Sequence, residues 1–213
     1  MVNWIVIPAA SVSAILYLWL LSRLLRGYAR EYSGLLLYVL VLVFGLVIDV
    51  ATYGFTDRDR SPYFLISETA RWGALYLAVL SFVWKALASH PAHQWIRHWL
   101  IALSAFTVFV AIFLTKGPNI SIWILKTVNI LSIAGMLLNL ILWTLLVRTR
   151  SSDLILFLVT SGLGIQAALE AAAWSLRNFR STFEAAYFVG IVGHLLCLMV
   201  WVFAFRKPAV RRA

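Results

Sequence analysis

Residues 61–88 read SPYFLISETARWGALYLAVLSFVWKALA, an apolar run of membrane-crossing length that carries two ionisable residues, Glu68 and Arg71, in its first half. A spanning helix needs about 20 predominantly apolar residues, and hydrocarbon penalises each ionisable group left without a partner by several kcal/mol. The rest of the chain decides the solvent. Of 213 residues, 63% are hydrophobic and 12% charged, with a mean hydropathy of +0.92. Soluble domains use about 45–50% apolar and about 25% charged residues. The composition is that of an all-α integral membrane protein. A formal net charge of +10 does not point to nucleic acid, because nearly all basic residues flank apolar runs instead of forming a stripe.

Working outward from 61–88, seven segments have spanning length: about 3–25, 33–55, 62–88, 95–115, 119–147, 153–176 and 183–205. Turn and breaker residues separate them, as in TDRDRSP (56–62), SHPAH (89–93) and TKGPN (115–119). The connections are too short for a second domain, so 1–213 reads as a single seven-transmembrane helix bundle. The N-terminal run has no basic residue ahead of it and no small-residue cleavage pattern behind it, and is expected to be a retained first helix.

Basic residues set the orientation. One side collects Arg23, Arg26, Arg30, Lys85, Arg97, Arg148, Arg150, Arg206, Lys207, Arg211 and Arg212, against Arg58, Arg60, Lys116, Arg177 and Arg180 on the other. The N-terminus is expected outside and the C-terminus in the cytoplasm, in a multi-pass protein of the inner (cytoplasmic) membrane.

SGLLLYVLVLVFG (33–45) aligns without a gap on SDLILFLVTSGLG (152–164), and ETARW (68–72) then falls on EAAYF (184–188). The alignment predicts a parallel three-plus-one-plus-three repeat. That layout resembles the microbial opsins and the SWEET-type sugar carriers in topology alone. Opsins hold retinal on a lysine of the seventh helix, and 183–205 contains none; SWEETs bend at a proline in each repeat, whereas Pro8 and Pro118 stand near span ends. A closer resemblance is to a group of uncharacterised bacterial seven-transmembrane integral membrane proteins. It rests on RGYAREYSGLLLYV (26–39) before span two, ETARWGALYLAVLSFV (68–83) in span three and AALEAAAW (167–174) late in span six. It implies the fold and no activity.

The informative residues are the polar ones inside the spans. Counted at about 1.5 Å per residue, Asp49, Glu68, Arg71, Lys126, Asn129, Gln166 and Glu170 all descend a similar distance from the outer side, with Tyr53 above them and His194 deeper. Glu68 and Arg71 stand three apart and share a helix face. Such groups usually turn into the bundle and pair there. They form either a salt-bridge layer that selects helix partners or a polar pocket open to the outside. The inner half is apolar apart from Asn139.

Other signals are weaker. His90, His93 and His98 lack carboxylates or further histidines to complete a metal set, and no G-x-S-x-G elbow supports a catalytic serine. Cys197 is the single cysteine, which excludes an intramolecular disulfide. No enzyme activity, metal or cofactor is expected. The partners expected are the lipid bilayer, a small-molecule ligand and a membrane-protein partner. Sensing of a small ligand with signalling through a partner leads, because the polar layer is confined to the outer third. A small-solute or proton-coupled transporter, and an accessory or assembly subunit of a larger membrane complex, are the alternatives.

The orientation has a direct test. In a Cys197→Ser background, a membrane-impermeant maleimide should label Asn3→Cys in intact cells and Ala213→Cys only after permeabilisation. Labelling in the opposite order would reverse the topology.

Overall fold

The computed structural model describes residues 3–52, 57–87, 93–114, 120–148, 153–177 and 183–206. Seven helices, and among the described residues no strand, make up the chain: α1 (Asn3–Arg23, continued by a π-helical turn Leu24–Tyr28), α2 (Ser33–Ala51), α3 (Asp57–Leu87), α4 (His93–Phe109, continued by a π-helical turn Val110–Leu114), α5 (Ile120–Arg148), α6 (Leu154–Arg177) and α7 (Phe183–Ala204). They coincide with the seven expected segments. Five stretches are long and apolar enough to cross a membrane by length and composition: Ile7–Tyr28, Ser33–Ala51, Ile122–Arg148, Leu154–Ala173 and Glu184–Ala204. Ile101–Phe113 is a shorter apolar stretch, and α3 is long but carries Asp57, Arg58, Asp59 and Arg60 in its first turn, then Glu68 and Arg71.

The ends of α2 and α3 depart most from expectation. α2 stops at Ala51, short of the expected residue 55: Thr52 leaves helical backbone angles at φ −98°, ψ 6°, its backbone N–H and side-chain hydroxyl both donating to the Ile48 carbonyl, at 2.9 and 2.8 Å. These bonds satisfy carbonyls that a helix end otherwise leaves open. α3 begins at Asp57, earlier than the expected 62, with Asp57, Arg58, Asp59 and Arg60 forming its first turn.

Two compact units divide the chain. One gathers α1, the C-terminal part of α5, α6 and α7; the other gathers α2, α3, α4 and the N-terminal part of α5.

In the first unit α6 and α7 form an antiparallel hairpin that packs through small residues. A Cβ added at Gly193 would lie 2.7 Å from the Leu169 Cβ, and one at Gly190 would lie 3.8 Å from the Ala173 Cβ. Gly193 is therefore a point of close approach, the usual device by which helices associate where lipid is as apolar as the side chains. Trp201, fully buried, crosses the hairpin to donate its indole N–H to the Val159 carbonyl at 3.1 Å. Asp153 caps α6, its Oδ1 accepting the Leu156 N–H at 2.9 Å. α1 lies along α7: Tyr17 meets His194 edge-on at 5.7 Å between ring centroids, and further on Tyr28 meets Phe205 at 5.0 Å. The outward side of α7 shows Phe188, Leu196, Met199 and Phe203, the apolar face a lipid-facing helix presents.

In the second unit α2 and α3 form the corresponding hairpin. A Cβ at Gly34 would overlap the Ser81 hydroxyl and come within 3.0 Å of the Ala78 Cα. Beside this contact Tyr32 is buried, with the Phe82 ring 6.4 Å away and the Lys85 ammonium 3.6 Å from its ring centroid. α5 approaches α3 at Gly135, 3.1 Å from the Leu75 side chain when a Cβ is added. The π-helical turn after α4 widens the ladder, and α5 takes up its carbonyls: the Trp123 N–H donates to Ile112 at 2.8 Å and the Thr127 hydroxyl to Ala111 at 2.8 Å.

The two hairpins do not share a register. The expected repeat lays Gly34 on Asp153 and Ser81 on Cys197, so Asp153 should face Cys197; instead Gly162 does, its added Cβ lying 3.3 Å from the Cys197 carbonyl. A shift from 153 to 162 is more than two helical turns. The alignment of 33–45 with 152–164 is thus not carried into helix packing.

These contacts predict a contrast between glycines. Gly193→Ala should destabilise the folded protein by about 1–3 kcal/mol through overpacking. Gly45→Ala, where an added Cβ meets nothing within 4 Å, should be neutral or gain up to about 1 kcal/mol of helix propensity. Equilibrium unfolding of both variants in mixed micelles measures the difference. Equal stabilities would show that α6 and α7 do not approach closely at Gly193.

Candidate functional site

α6 turns toward α7 the residues Val159, Gly162, Gln166, Leu169 and Ala173, which recur at three- and four-residue intervals. Gln166 is the polar member, 6% exposed, and its Oε1 has no hydrogen-bond donor among the described residues. Glu170 follows one turn later on the same side, half-buried, and Cys197 of α7 is fully buried. With Gly193 opposite Leu169 and Gly190 opposite Ala173, His194 stands within about 3 Å of the level of Glu170 along the helix axes, at ~1.5 Å per residue. His194 Nε2 is hydrogen-bonded to the Tyr17 hydroxyl of α1. When the tyrosine donates, the imidazole carries its proton on Nδ1 and is uncharged. An amide and a carboxylate one turn apart on α6, and an imidazole of α7 bonded to a phenol of α1, thus belong to one unit.

Deeper in the same unit Asn139 of α5 donates its amide to the Thr160 carbonyl at 3.2 Å. Asn139 is 6% exposed and its Oδ1, like Gln166 Oε1, lacks a donor among the described residues. An unsatisfied buried acceptor costs about 1–3 kcal/mol.

The second unit treats its charges differently. Arg71 Nη1 lies 3.5 Å from Glu68 Oε1, the two side chains 29% and 25% exposed. The buried Trp72 donates its indole N–H to Glu68 Oε2 at 3.2 Å, and the Arg71 guanidinium stands 5.4 Å from the Trp72 ring centroid. Glu68, Arg71 and Trp72 neutralise one another on a single helix. That is why an apolar run can carry both charges: the pair is made locally, before any second helix is needed.

Of the residues expected in the polar layer, Gln166 is buried and Glu170 and His194 are half-buried in the first unit, and the second pairs Glu68 with Arg71. Asp49, Lys126 and Asn129 are exposed and do not turn into a bundle interior. Asp49 also sits in the last turn of α2, whereas Glu68 stands three turns inside α3. Tyr53 lies outside the described residues.

No family model, curated protein or solved structure matches the chain.

Tyr17 was not singled out from sequence. It sits in AILYLWLL (14–21), where an aromatic residue reads as ordinary packing, and only its partner on α7 distinguishes it. Thr160 was missed for a related reason: its hydroxyl bonds back to the Leu156 carbonyl at 2.9 Å, and only its carbonyl reaches another helix.

The local pair in α3 predicts non-additive substitutions. Glu68→Gln or Arg71→Gln alone leaves one charge without its partner, and should cost more stability than the double variant. A lone charge at mid-span costs about 2.5–3.5 kcal/mol on insertion scales, so a coupling energy of about 1 kcal/mol is expected. A double-mutant cycle on the unfolding midpoint measures it; additive effects would mean that the two side chains do not pair.

Proposed function

We propose that the chain is a seven-crossing membrane protein, N-terminus outside, that binds a small polar ligand between α1, α6 and α7 and signals through a membrane partner. The observation that carries this reading is the Gln166 acceptor: nine-tenths buried, without a donor among the described residues, and one helical turn from Glu170, in the unit where His194 and Tyr17 are hydrogen-bonded. Hydrocarbon supplies no hydrogen-bond donors. A bundle that needed only stability would fill this position with leucine. An acceptor kept open at the meeting point of three helices serves a group that comes and goes.

The arrangement also provides a route for a signal. α1 touches α7 at Tyr17–His194 and again at Tyr28–Phe205, and the second contact adjoins Arg23, Arg26 and Arg206. A ligand that bears on His194 changes the balance of an interface whose other end carries basic residues suited to a partner or to anionic lipid.

A second reading has its own observation. Asp49, Lys126 and Asn129 are exposed on helices of membrane-spanning length, and polar side chains on lipid-facing surfaces hold partner helices. On that reading the chain is an accessory or assembly subunit of a larger complex.

Thermal unfolding of the reconstituted protein against a library of small polar metabolites separates the two. A ligand at about 100 times its Kd adds about 2.7 kcal/mol to the native state, and this gain should disappear in Tyr17→Phe and His194→Phe. If no compound shifts the midpoint, while Lys126→Leu releases a co-purifying membrane protein, the subunit reading replaces the sensing one.

A further inference from the structure

The N-terminal part of α5 carries two polar residues that its own unit leaves aside. Lys126 and Asn129 stand in the stretch Ile122–Arg148, long and apolar enough to cross a membrane. Both are exposed, and neither has a hydrogen bond or ion pair among the described residues. The charges of α3 in the same unit are treated differently, Glu68 and Arg71 meeting at 3.5 Å. Hydrocarbon offers an ammonium or an amide nothing to bond.

Lys126 and Asn129 form one seam with Ile133 and Leu137, all exposed and recurring at three- and four-residue intervals. At about 100° per residue, the first three lie across α5 from Gly135, its point of approach to Leu75 of α3. Trp123 and Thr127 are engaged by the π-helical turn that follows α4. Within its unit, the seam is turned away from α3.

Three occupants differ in what they satisfy. Lipid head groups are within reach of the long Lys126 side chain, about 6 Å past Ile122, but not of the short Asn129 amide, about 10 Å past it. A second copy of the chain, meeting this seam with its own about an axis along the membrane normal, sets Lys126 against Lys126. A spanning helix of another protein with a carboxylate at this level answers both groups. Residues three apart share a face, so one carboxylate serves the ammonium and the amide together, while apolar side chains pack on Ile133 and Leu137.

We propose that this seam docks a transmembrane helix of a partner protein bearing an aspartate or glutamate, whose carboxylate accepts from Lys126 Nζ and Asn129 Nδ2. This rests on the membrane partner invoked above and adds that partner's chemistry; ligand binding in the other unit has its own test.

The experiment titrates the full chain, fluorescently labelled in phosphatidylcholine vesicles, with leucine-rich transmembrane peptides followed by energy transfer. The peptides differ at one position, about two turns from either end, which holds Asp, Asn, Lys or Leu. The Asp peptide should bind about tenfold more tightly than the Leu peptide, and the Lys peptide no better than Leu. Lys126→Met should abolish the Asp preference, Asn129→Leu should reduce it, and Lys126→Asp should transfer it to the Lys peptide. The unfolding midpoints of these variants should stay at or above that of the wild type. A lower midpoint for Lys126→Met means that its charge is balanced inside the chain, and overturns the proposal. A preference for the Asn peptide that survives Lys126→Met overturns the acidic partner and leaves a partner helix standing. Should all four peptides bind alike, the seam docks no helix; stabilisation by phosphatidylglycerol that Lys126→Met removes would then assign Lys126 to a lipid head group.

Discussion

A chain this apolar has one governing constraint: inside hydrocarbon, each polar group must be satisfied by the protein itself. Most are satisfied within a turn. The hydroxyls of Ser11, Thr69, Thr107, Thr144 and Thr160 each donate to the carbonyl four residues earlier on their own helix. Glu68, Arg71 and Trp72 apply the same local solution to charge. Tryptophan N–H groups bridge helices, to Val159 from Trp201 and to Ile112 from Trp123. Against this background Gln166 and Asn139 stand out, because each keeps an acceptor buried that a short hydroxyl side chain would have turned back on its helix.

The same solvent explains how the helices hold together. Lipid tails are as apolar as leucine, so burying leucine against leucine gains little, and association depends on close packing. Gly193 against Leu169 and Gly34 against Ala78 and Ser81 supply it in the two hairpins. Close packing also fixes the level of the site. With Gly193 seated on Leu169, the neighbouring residues Glu170 and His194 have no freedom to slide apart by a turn, so the glycine seam and the polar cluster are one construction.

Length and apolarity made the seven helices legible in the sequence, and six of the expected segments differ from the observed helices by only a few residues at their ends. What failed was finer. The end of α2 lies where Thr52 leaves helical backbone angles, which hydropathy does not register. The apparent repeat failed because apolar segments align readily, while register is set by a few small residues, Gly34 in one hairpin and Gly162 in the other. For the site, counting residues gave depth alone, with Gln166 and Glu170 at a similar distance from the outer side and His194 deeper. It could not give direction. In helices whose lipid-facing and packed sides are both leucine, isoleucine and phenylalanine, nothing in the pattern distinguishes inward from outward, and Asp49, Lys126 and Asn129 were expected inside when they are exposed.

Direction is what separates the two charged regions in their consequences. The Glu68–Arg71 pair and the Trp72 bond to Glu68 are made within α3. On the proposed reading, a group bound beside Gln166 of α6 would also bear on His194 of α7, which is bonded to Tyr17 of α1, and so on elements that can shift against one another. A ligand moves such an equilibrium only by its differential affinity for the two arrangements, and the α1–α7 interface has the means to provide one: the Tyr17–His194 bond lies at the site, and Tyr28–Phe205 lies about 16 Å further along α1, at ~1.5 Å per residue. A bond remade at the first contact alters the load on the second, beside the π-helical turn Leu24–Tyr28, where a widened ladder is more easily reshaped than a regular one. On the proposed reading, the cluster's position on three helices is what would allow the bundle to report the binding event as well as hold the ligand.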